Sequence, residues 1–396
     1  MNELAQSSGF SGHNVEGGFD VDRVRQDFPI LGRQVHGKPL VYFDSGASAQ
    51  KPRAVIDAMT EVLEAQYTNV HRGAHYLSQT LTDRYEGVRE KIAAFLNAPS
   101  ENEIVITRNT TEAINLVAAT YGRKFLNKGD GVLISDMEHH ANIVPWQLLR
   151  DEIGIELKVA PIDDRGVLDM DAYAALLDGN TKLVAMTHCS NVLGTMLPGK
   201  EIVRLAHERG IPVLLDGSQA VVHSAVDVQD LNADFYVFTG HKLYGPTAIG
   251  VLYGKADLLA QMPPYQGGGD MIKSVTFEKT EFADIPGRFE AGTPHIAGAY
   301  GLSAAIDYVS AIGMSNIARH EQELLSYATA RLQEINSLRL IGTADNKAGI
   351  VSFELDGVHA LVRSTVMFGD EAAGIRIVAP YRQPLFAQQF GRCSGD

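Results

Sequence analysis

One pattern recurs through the first three-quarters of this chain and narrows its possible folds more than any other. A short apolar, β-rich run repeatedly stops at a cluster of polar residues. Glu103-Ile104-Val105-Ile106-Thr107 stops at Arg108-Asn109-Thr110-Thr111, which opens a helical segment through Val117. Gly131-Val132-Leu133-Ile134-Ser135 stops at Asp136-Met137-Glu138-His139-His140-Ala141-Asn142, and the run from Lys182 to His188 stops at Cys189-Ser190-Asn191. Ile211-Pro212-Val213-Leu214-Leu215 gives way to Asp216-Gly217-Ser218-Gln219-Ala220, and Ala233-Asp234-Phe235-Tyr236-Val237 to Phe238-Thr239-Gly240-His241-Lys242. Runs of this length bounded by turn residues read as buried strands, and helical segments such as Lys200 to Arg209 separate several of them. Strands alternating with helices need crossover connections, and so a mostly parallel sheet in a three-layer α/β domain. In such a sheet the strand ends share an edge, where the polar clusters converge.

The flanks add detail. Residues 1–18 are rich in Ser, Gly and Asn and read as a mobile tail. Val21 to Phe28 fits a short amphipathic helix, Pro39 to Phe43 a strand, and Arg53 to Gln66 and Asp83 to Leu96 helices. Asn69 to His75 is a polar, cationic loop between those helices. Gln266-Gly267-Gly268-Gly269 reads as a lid or interface loop, because no clear helix follows to make it a phosphate cradle. After Gly292 the grammar changes. Ala297 to Ile312 and Ser315 to Leu338 read as long helices, Gly349 to Leu355 as an alternating strand, Val358 to Met367 as a helix and Gly374 to Val378 as a last strand. The expected fold is α/β: a large three-layer domain over 34–295, and a smaller α+β domain built from 19–33 and 296–396. The pattern fails from Ala379 to Asp396.

Composition excludes several classes. A net charge of −14 supplies no basic stripe to replace phosphate counterions, which argues against a nucleic-acid binder. Two cysteines, Cys189 and Cys393, make neither a disulfide framework nor a zinc spacing. No apolar stretch is long enough for a bilayer, and Met1 to Gly18 lacks the apolar core of a signal peptide, so the expectation is a cytoplasmic protein.

The polar clusters suggest a chemistry. Lys242 follows a buried strand that stops at Gly240, with Tyr244-Gly245-Pro246 forcing a turn. A lysine at such a mouth can be desolvated, giving a nucleophilic amine for an aldehyde cofactor; a solvated surface lysine is the plainer alternative. Pyridoxal phosphate needs such an amine and also a carboxylate against its ring nitrogen. Asp216 ends the preceding strand, which places it in the same crevice; it could equally cap a helix. Thr110 and Thr111 begin a helix, where backbone N–H groups and hydroxyls hold phosphate or simply cap. His139 could stack on a pyridine. His139-His140 as a metal pair lacks any supporting ligand frame. Asn191 and Gln219 could reach a phenolic oxygen or merely satisfy turns.

Taken together these segments resemble one family. The segments are Asp44-Ser45 with Ala47-Ser48-Ala49-Gln50-Lys51-Pro52, Val70-His71-Arg72-Gly73, Met137 to Trp146, Ser190 to Thr195, Gly240 to Pro246 and Arg288-Phe289-Glu290-Ala291-Gly292-Thr293-Pro294. They look like the Suf-type cysteine desulfurases and selenocysteine lyases of the class V aminotransferase group, which are fold-type I pyridoxal-phosphate enzymes. The resemblance runs from about Val21 to Ile377. It implies Lys242 as the covalent anchor of pyridoxal 5'-phosphate, Asp216 as the ring-nitrogen partner and His139 as the stacking ring. It implies Gln219 and Asn191 near the phenolic oxygen and substrate, and Thr110, Thr111, Thr239 and His241 on the phosphate. Thr293 would reach the phosphate of a neighbouring subunit, with Arg72 near that interface, in a homodimer. The implied substrates are L-cysteine or L-selenocysteine, and the implied product partner is a sulfur-acceptor protein in iron–sulfur cluster assembly.

The chain departs from that family at one place. The family's persulfide cysteine normally lies in an Arg-x-Gly-His-His-Cys-Ala loop after the last strand of the smaller domain. Here Gly374-Ile375-Arg376-Ile377-Val378-Ala379-Pro380-Tyr381-Arg382-Gln383-Pro384-Leu385-Phe386 matches at its flanks only. Val378 stands where the family has arginine, and Pro380-Tyr381-Arg382 replaces the segment holding the histidines and the cysteine. The smaller domain is accordingly expected to end before the family's final strand and helix. The expectation is a protein that keeps its cofactor chemistry but turns over cysteine poorly, with selenium release less impaired. A plain class V aminotransferase and a catalytically impaired pseudoenzyme are the alternatives.

Overall fold

A computed structural model of the protein describes residues 20–71 and 73–357 and the backbone of 376–378. Seven strands form the central sheet: β1 (Ile104–Thr107), β2 (Gly131–Ser135), β3 (Glu156–Ala160), β4 (Thr181–Thr187), β5 (Val213–Asp216), β6 (Phe235–Thr239) and β7 (Gly250–Gly254). Their spatial order is β1-β7-β6-β5-β4-β2-β3. The pairs from β6 to β3 are all parallel, whereas β7 runs antiparallel to both β1 and β6. The sheet is therefore mostly parallel, as the alternating pattern required.

The two-residue period of the strands explains the three layers. Val213 and Leu215 join one core with Phe238, Leu81, Tyr85 and Ile202, while Leu214 joins another with Val105, Ile114, Trp146 and Val237. Successive side chains point to opposite faces, and helices cover both. On one face lie the helices Tyr76–Leu96 and Gly199–His207, and on the other Thr110–Val117 and Val144–Ile153. Each large apolar side chain fully withdrawn from water adds roughly 1.5–3 kcal/mol to this assembly.

A second, smaller sheet pairs Leu338–Ile341 antiparallel with Ile350–Leu355, which pairs parallel with Arg376–Val378. The helix Met314–Gln333 covers it through a separate core of Leu325, Val351 and Phe353. The helix Ile296–Ile312, placed at the start of the smaller domain by the sequence pattern, buries Ile296, Leu302 and Ile306 in the large core instead. Residues 20–33 lie against that helix. The Phe28 ring meets Tyr308 edge-on at 5.9 Å, and Tyr308 Oη donates to Asp27 Oδ2 at 2.9 Å.

Several elements differ from expectation. The expected strand Pro39–Phe43 is a hairpin of Gln34–Val35 with Lys38–Pro39, and Leu40 to Phe43 lie beyond its ladder. The helix expected from Asp83 starts at Tyr76, because His75 Nδ1 accepts from Ser78 N and Ser78 Oγ donates to Asn69 O, anchoring an earlier first turn. The helix expected to reach Leu338 stops at Gln333, before Asn336-Ser337, and Leu338 begins a strand. β3 is an edge strand with Glu156 and Val159 exposed, and β7 is five residues bounded by glycines, so neither has a long apolar signature. The tail 1–18, Arg72, the segment Val358–Met367 and 379–396 lie outside the described residues.

Candidate active site at the carboxyl edge of the sheet

The carboxyl ends of β1, β4, β5 and β6 and the loop after β2 open on one cavity of about 320 Å³. Thr110, Thr111, His139, Asn191, Asp216, Thr239, His241 and Lys242 all line it. Eight residues far apart in sequence thus meet at the shared strand edge. Gln219 and Thr293 do not line it. Gln219 is buried and its Nε2 donates to Gly46 O at 2.9 Å, so it braces a residue of the cavity wall. Thr293 is exposed, beside a second cavity of about 200 Å³ lined by its neighbours Gly292 and Pro294 with His71, Arg89 and Glu290.

Asp216 ends β5 with only 5% of its surface exposed, and its Oδ1 accepts from Ser218 N at 2.9 Å. Ser218 Oγ in turn lies 2.7 Å from Thr110 Oγ1, which ties the β5 turn to the first residue of the Thr110–Val117 helix. The glycine between them is compulsory: a Cβ on Gly217 would lie 2.1–2.2 Å from the ring and hydroxyl of Tyr236. Asn109 caps the helix through Glu112 N at 2.8 Å, so Thr110 and Thr111 form its first turn at the cavity. A Cβ on Gly250 would come within 2.5 Å of Asn109 Cα; β7 reaches this cap only because Gly250 has none.

Lys242 sits on the strap after β6. Gly240 N donates to Ile249 O and Gly245 N to Gly240 O, each at 2.9 Å, folding the strap back on itself. Tyr244 there takes a φ of 58°, a left-handed conformation that the following Gly245-Pro246 turn holds in place. The strap is pinned from outside as well: Ala49 N donates to His241 O at 3.0 Å and Lys51 Nζ to the same oxygen at 3.1 Å. Burial lowers Lys51 to about 8. Burial, with the charges of Lys242 and Lys51 behind it, lowers His241 to about 4, so its imidazole is neutral.

His139 lies in the β2 loop, its Nδ1 accepting from Ala141 N at 3.1 Å. Beside it, Glu138 is completely buried. Its Oε1 accepts from Ser135 Oγ at 2.5 Å and Thr187 N at 2.9 Å, and its Oε2 from Asn142 Nδ2 at 2.7 Å. Burial pushes Glu138 up to about 7 against the pull of these donors. Sequence reasoning gave no role to Glu138, Ser218 or Asn109. The order Asp-x-Ser after an apolar run was a usable signal for Ser218, but a buried glutamate in a polar loop announces itself only through its neighbours. Cys189 is 1% exposed, and burial raises its thiol far above the ordinary range. Its Sγ lies against Gly194 O at 3.6 Å, so it is a core residue and not an available nucleophile. Residues 379–386 and Cys393 lie outside the described residues. Among the described residues no group of three His, Cys, Asp or Glu is placed to hold a metal.

The donor set fits pyridoxal phosphate. The cavity falls in the size range of cofactor sites and is lined by an amine, a buried carboxylate, an imidazole and a helix N-terminus with hydroxyls. The two close approaches at Gly217 and Gly250 put the carboxylate turn and the helix cap against neighbours with no room for a side chain. Together, the parallel sheet and this edge define a fold-type I cofactor enzyme.

Comparison with known proteins agrees with that assignment. The aminotransferase class-V family matches residues 41–379. A cysteine desulfurase from Yersinia pestis (strain Pestoides F) is 55% identical over 343 residues, which are 86% of this chain and 84% of that protein. The crystal structure of the cysteine desulfurase CsdA (S-sulfonic acid) from Escherichia coli superposes with a TM-score of 0.81 at 38% identity, covering 88% of this chain and 86% of the other. The cystine C-S lyase C-DES, in complex with its reaction product cysteine persulfide, gives a TM-score of 0.72 at 25% identity over 80% of this chain and 84% of the other. The chain belongs to the class-V aminotransferase family, among its cysteine desulfurase members.

Proposed function

We propose that this chain is a pyridoxal-phosphate enzyme that removes sulfur or selenium from Cβ of L-cysteine or L-selenocysteine and releases alanine. The observation that carries the reading is the meeting of Lys242, Asp216 and His139 with the Thr110–Val117 helix N-terminus on one cavity. Bound there, pyridoxal phosphate supplies an electron sink for negative charge at the substrate Cα. Lys242 Nζ would hold the cofactor through its aldehyde and would carry the proton at the substrate Cα. The Asp216 carboxylate would hold a proton on the ring nitrogen, which a buried carboxylate does better than a solvated one. Thr110, Thr111 and Thr239 would offer hydroxyls, and neutral His241 an N–H, to the phosphate. His139, on the cavity wall, would stack on the ring face. Asn191 would reach the phenolic oxygen, and Gln219 would act by bracing Gly46 or through its second amide N–H.

The sulfur step differs from that of the family. Passing sulfur from Cβ to an enzyme thiolate breaks a C–S bond and forms an S–S bond, and it needs a thiolate in reach. Cys189 is buried, and 378–386 contains no cysteine. Leaving alanine instead requires an added thiol to attack the sulfur or selenium, the bond to Cβ breaking with its electrons kept on carbon, which is then protonated. Selenium is the softer electrophile and its bond to carbon the weaker, so selenocysteine is the better substrate of this chain. Purified protein supplied with pyridoxal phosphate and reductant is tested on each amino acid, reading sulfide or selenide and alanine. Faster alanine release from selenocysteine is the expected result, and rapid sulfide release from cysteine would refute the reading. Transfer of the amino group to a keto acid would instead favour an aminotransferase, and no turnover at all a pseudoenzyme.

The same reading extends to assembly. Thr293 is exposed and far from being a wall of its own chain's cavity, which suits contact with the phosphate of a second copy in a homodimer. A sulfur-acceptor protein serving iron–sulfur assembly would take the product, in a cytoplasm whose reducing conditions suit unpaired cysteines.

A further inference from the structure

Glu138 is a fully buried carboxylate whose partners are all neutral donors. Burying such a group is costly, and apolar packing alone would favour another side chain. Its bonds instead join two parts of the site. Through Ser135 Oγ and Asn142 Nδ2 it closes the loop that carries His139. Asn142 extends the closure, with Nδ2 also donating to Ala185 O at 2.9 Å and Oδ1 accepting from Trp146 Nε1 at 3.0 Å. Through Thr187 N, Glu138 grips the last residue of β4, whose ladder partner is Asp216. The next residue, His188, donates its N–H to Asp216 O at 2.8 Å. The carboxylate thus stands between the His139 loop and the strand that registers Asp216.

We propose that Glu138 is the positioning residue of this site, fixing the His139 loop and the Asp216 strand end relative to one another so that both address the same bound ring. This rests on the pyridoxal-phosphate reading above for the identity of the ring, but not for the geometry it fixes. Among the described residues Oε2 receives one donor, from Asn142. Glu138→Gln therefore keeps volume and the Oε1 bonds while setting an NH2 against the Asn142 NH2. E138Q/N142D restores a donor–acceptor pair across that bond, though Ala185 O then loses its donor.

The test uses the full chain, measuring pyridoxal-phosphate affinity and the visible circular dichroism of the bound cofactor. In the cofactor-free protein it measures hydrogen exchange at Ala141 N and Thr187 N. E138Q is expected to weaken cofactor binding about tenfold, to alter the dichroic band and to speed exchange at both amides, and E138Q/N142D to recover part of each loss. If E138Q lowers thermal stability yet leaves affinity, band and both amides as in the wild type, Glu138 is an ordinary core residue and the proposal falls. If the wild type binds no pyridoxal phosphate, the cofactor reading fails, and the exchange rates decide the proposal: unchanged rates at Ala141 and Thr187 in E138Q overturn it, and faster rates recovered by the double variant uphold it.

Discussion

Gly217→Ala tests the packing behind Asp216 most sharply. The added methyl would lie 2.1 Å from Tyr236 Cε1 and 2.2 Å from its Cζ and Oη, where ordinary carbon contacts begin near 3.5 Å. Tyr236 cannot withdraw: it is fully buried on β6, and its hydroxyl bonds His188 Nδ1 at 3.0 Å. Overpacking of this kind costs about 1–3 kcal/mol, and displacing the ring forfeits the Tyr236–His188 bond, worth about 1 kcal/mol. Gly217 does not use the left-handed region, so alanine there would otherwise stabilise by about 0.4–1 kcal/mol through the unfolded chain. The net expectation is a loss of about 2 kcal/mol in denaturant unfolding, with weaker pyridoxal-phosphate binding because Asp216 is the adjoining residue. Tyr236→Phe should give no relief, since Cε1 and Cζ remain, whereas Tyr236→Leu removes the obstacle. A double-mutant cycle should then show strong favourable coupling between G217A and Y236L. G217A within 0.5 kcal/mol of wild type, or simple additivity with Y236L, would refute the reasoning.

Gly250→Ala meets backbone and not a side chain at Asn109, so it should displace the cap of the Thr110–Val117 helix. A loss of about 1–3 kcal/mol with reduced affinity for inorganic phosphate or pyridoxal phosphate is expected, read by calorimetry. Arg89 is buried and forks onto Glu290 at 2.7 and 3.1 Å, while Glu290 Oε1 also accepts from Ile106 N at 2.7 Å. Arg89→Met strands that carboxylate and should cost about 3–5 kcal/mol, and Arg89→Met with Glu290→Gln should recover much of it in urea unfolding. Burial lowers His188 to about 4 from an ordinary 6.5. The unfolded chain therefore binds the proton first, and the stability held above pH 6.5 is lost as the pH falls toward 4. About 3 kcal/mol of acid sensitivity follows from that shift. His188→Gln should flatten the stability profile over that window, and an unchanged slope would count against the assignment.

The sequence disclosed the strand ends well because each buried strand is an apolar run stopped by polar residues, and parallel pairing forces those stops onto one edge. Eight of the ten expected site residues line one cavity for that reason. Gln219 belongs to the same turn as Asp216, but which way an amide points is decided by Gly46, 173 positions away. Thr293 followed from family likeness alone, and its exposed position is not part of this chain's cavity. β3 and β7 were hidden because an edge strand needs little apolar character and a five-residue run between glycines resembles a turn. Glu138 was hidden by its chemistry: a carboxylate reads as surface until its own loop folds Ser135 and Asn142 onto it and the sheet brings in Thr187 N from 49 positions away. The boundary drawn near Gly292 marks a change of pattern, yet the helix that follows packs in the large core, since amphipathic periodicity does not say which sheet it will cover.

The most direct measurement is to incubate the protein with pyridoxal phosphate, reduce with borohydride, and locate the modified lysine by peptide mass spectrometry in wild type and in Asp216→Asn. A single adduct on Lys242, with a visible absorbance band that D216N shifts or weakens, is the predicted result. An adduct on Lys51 or on scattered surface lysines, or no adduct at all, would contradict the assignment of this cavity.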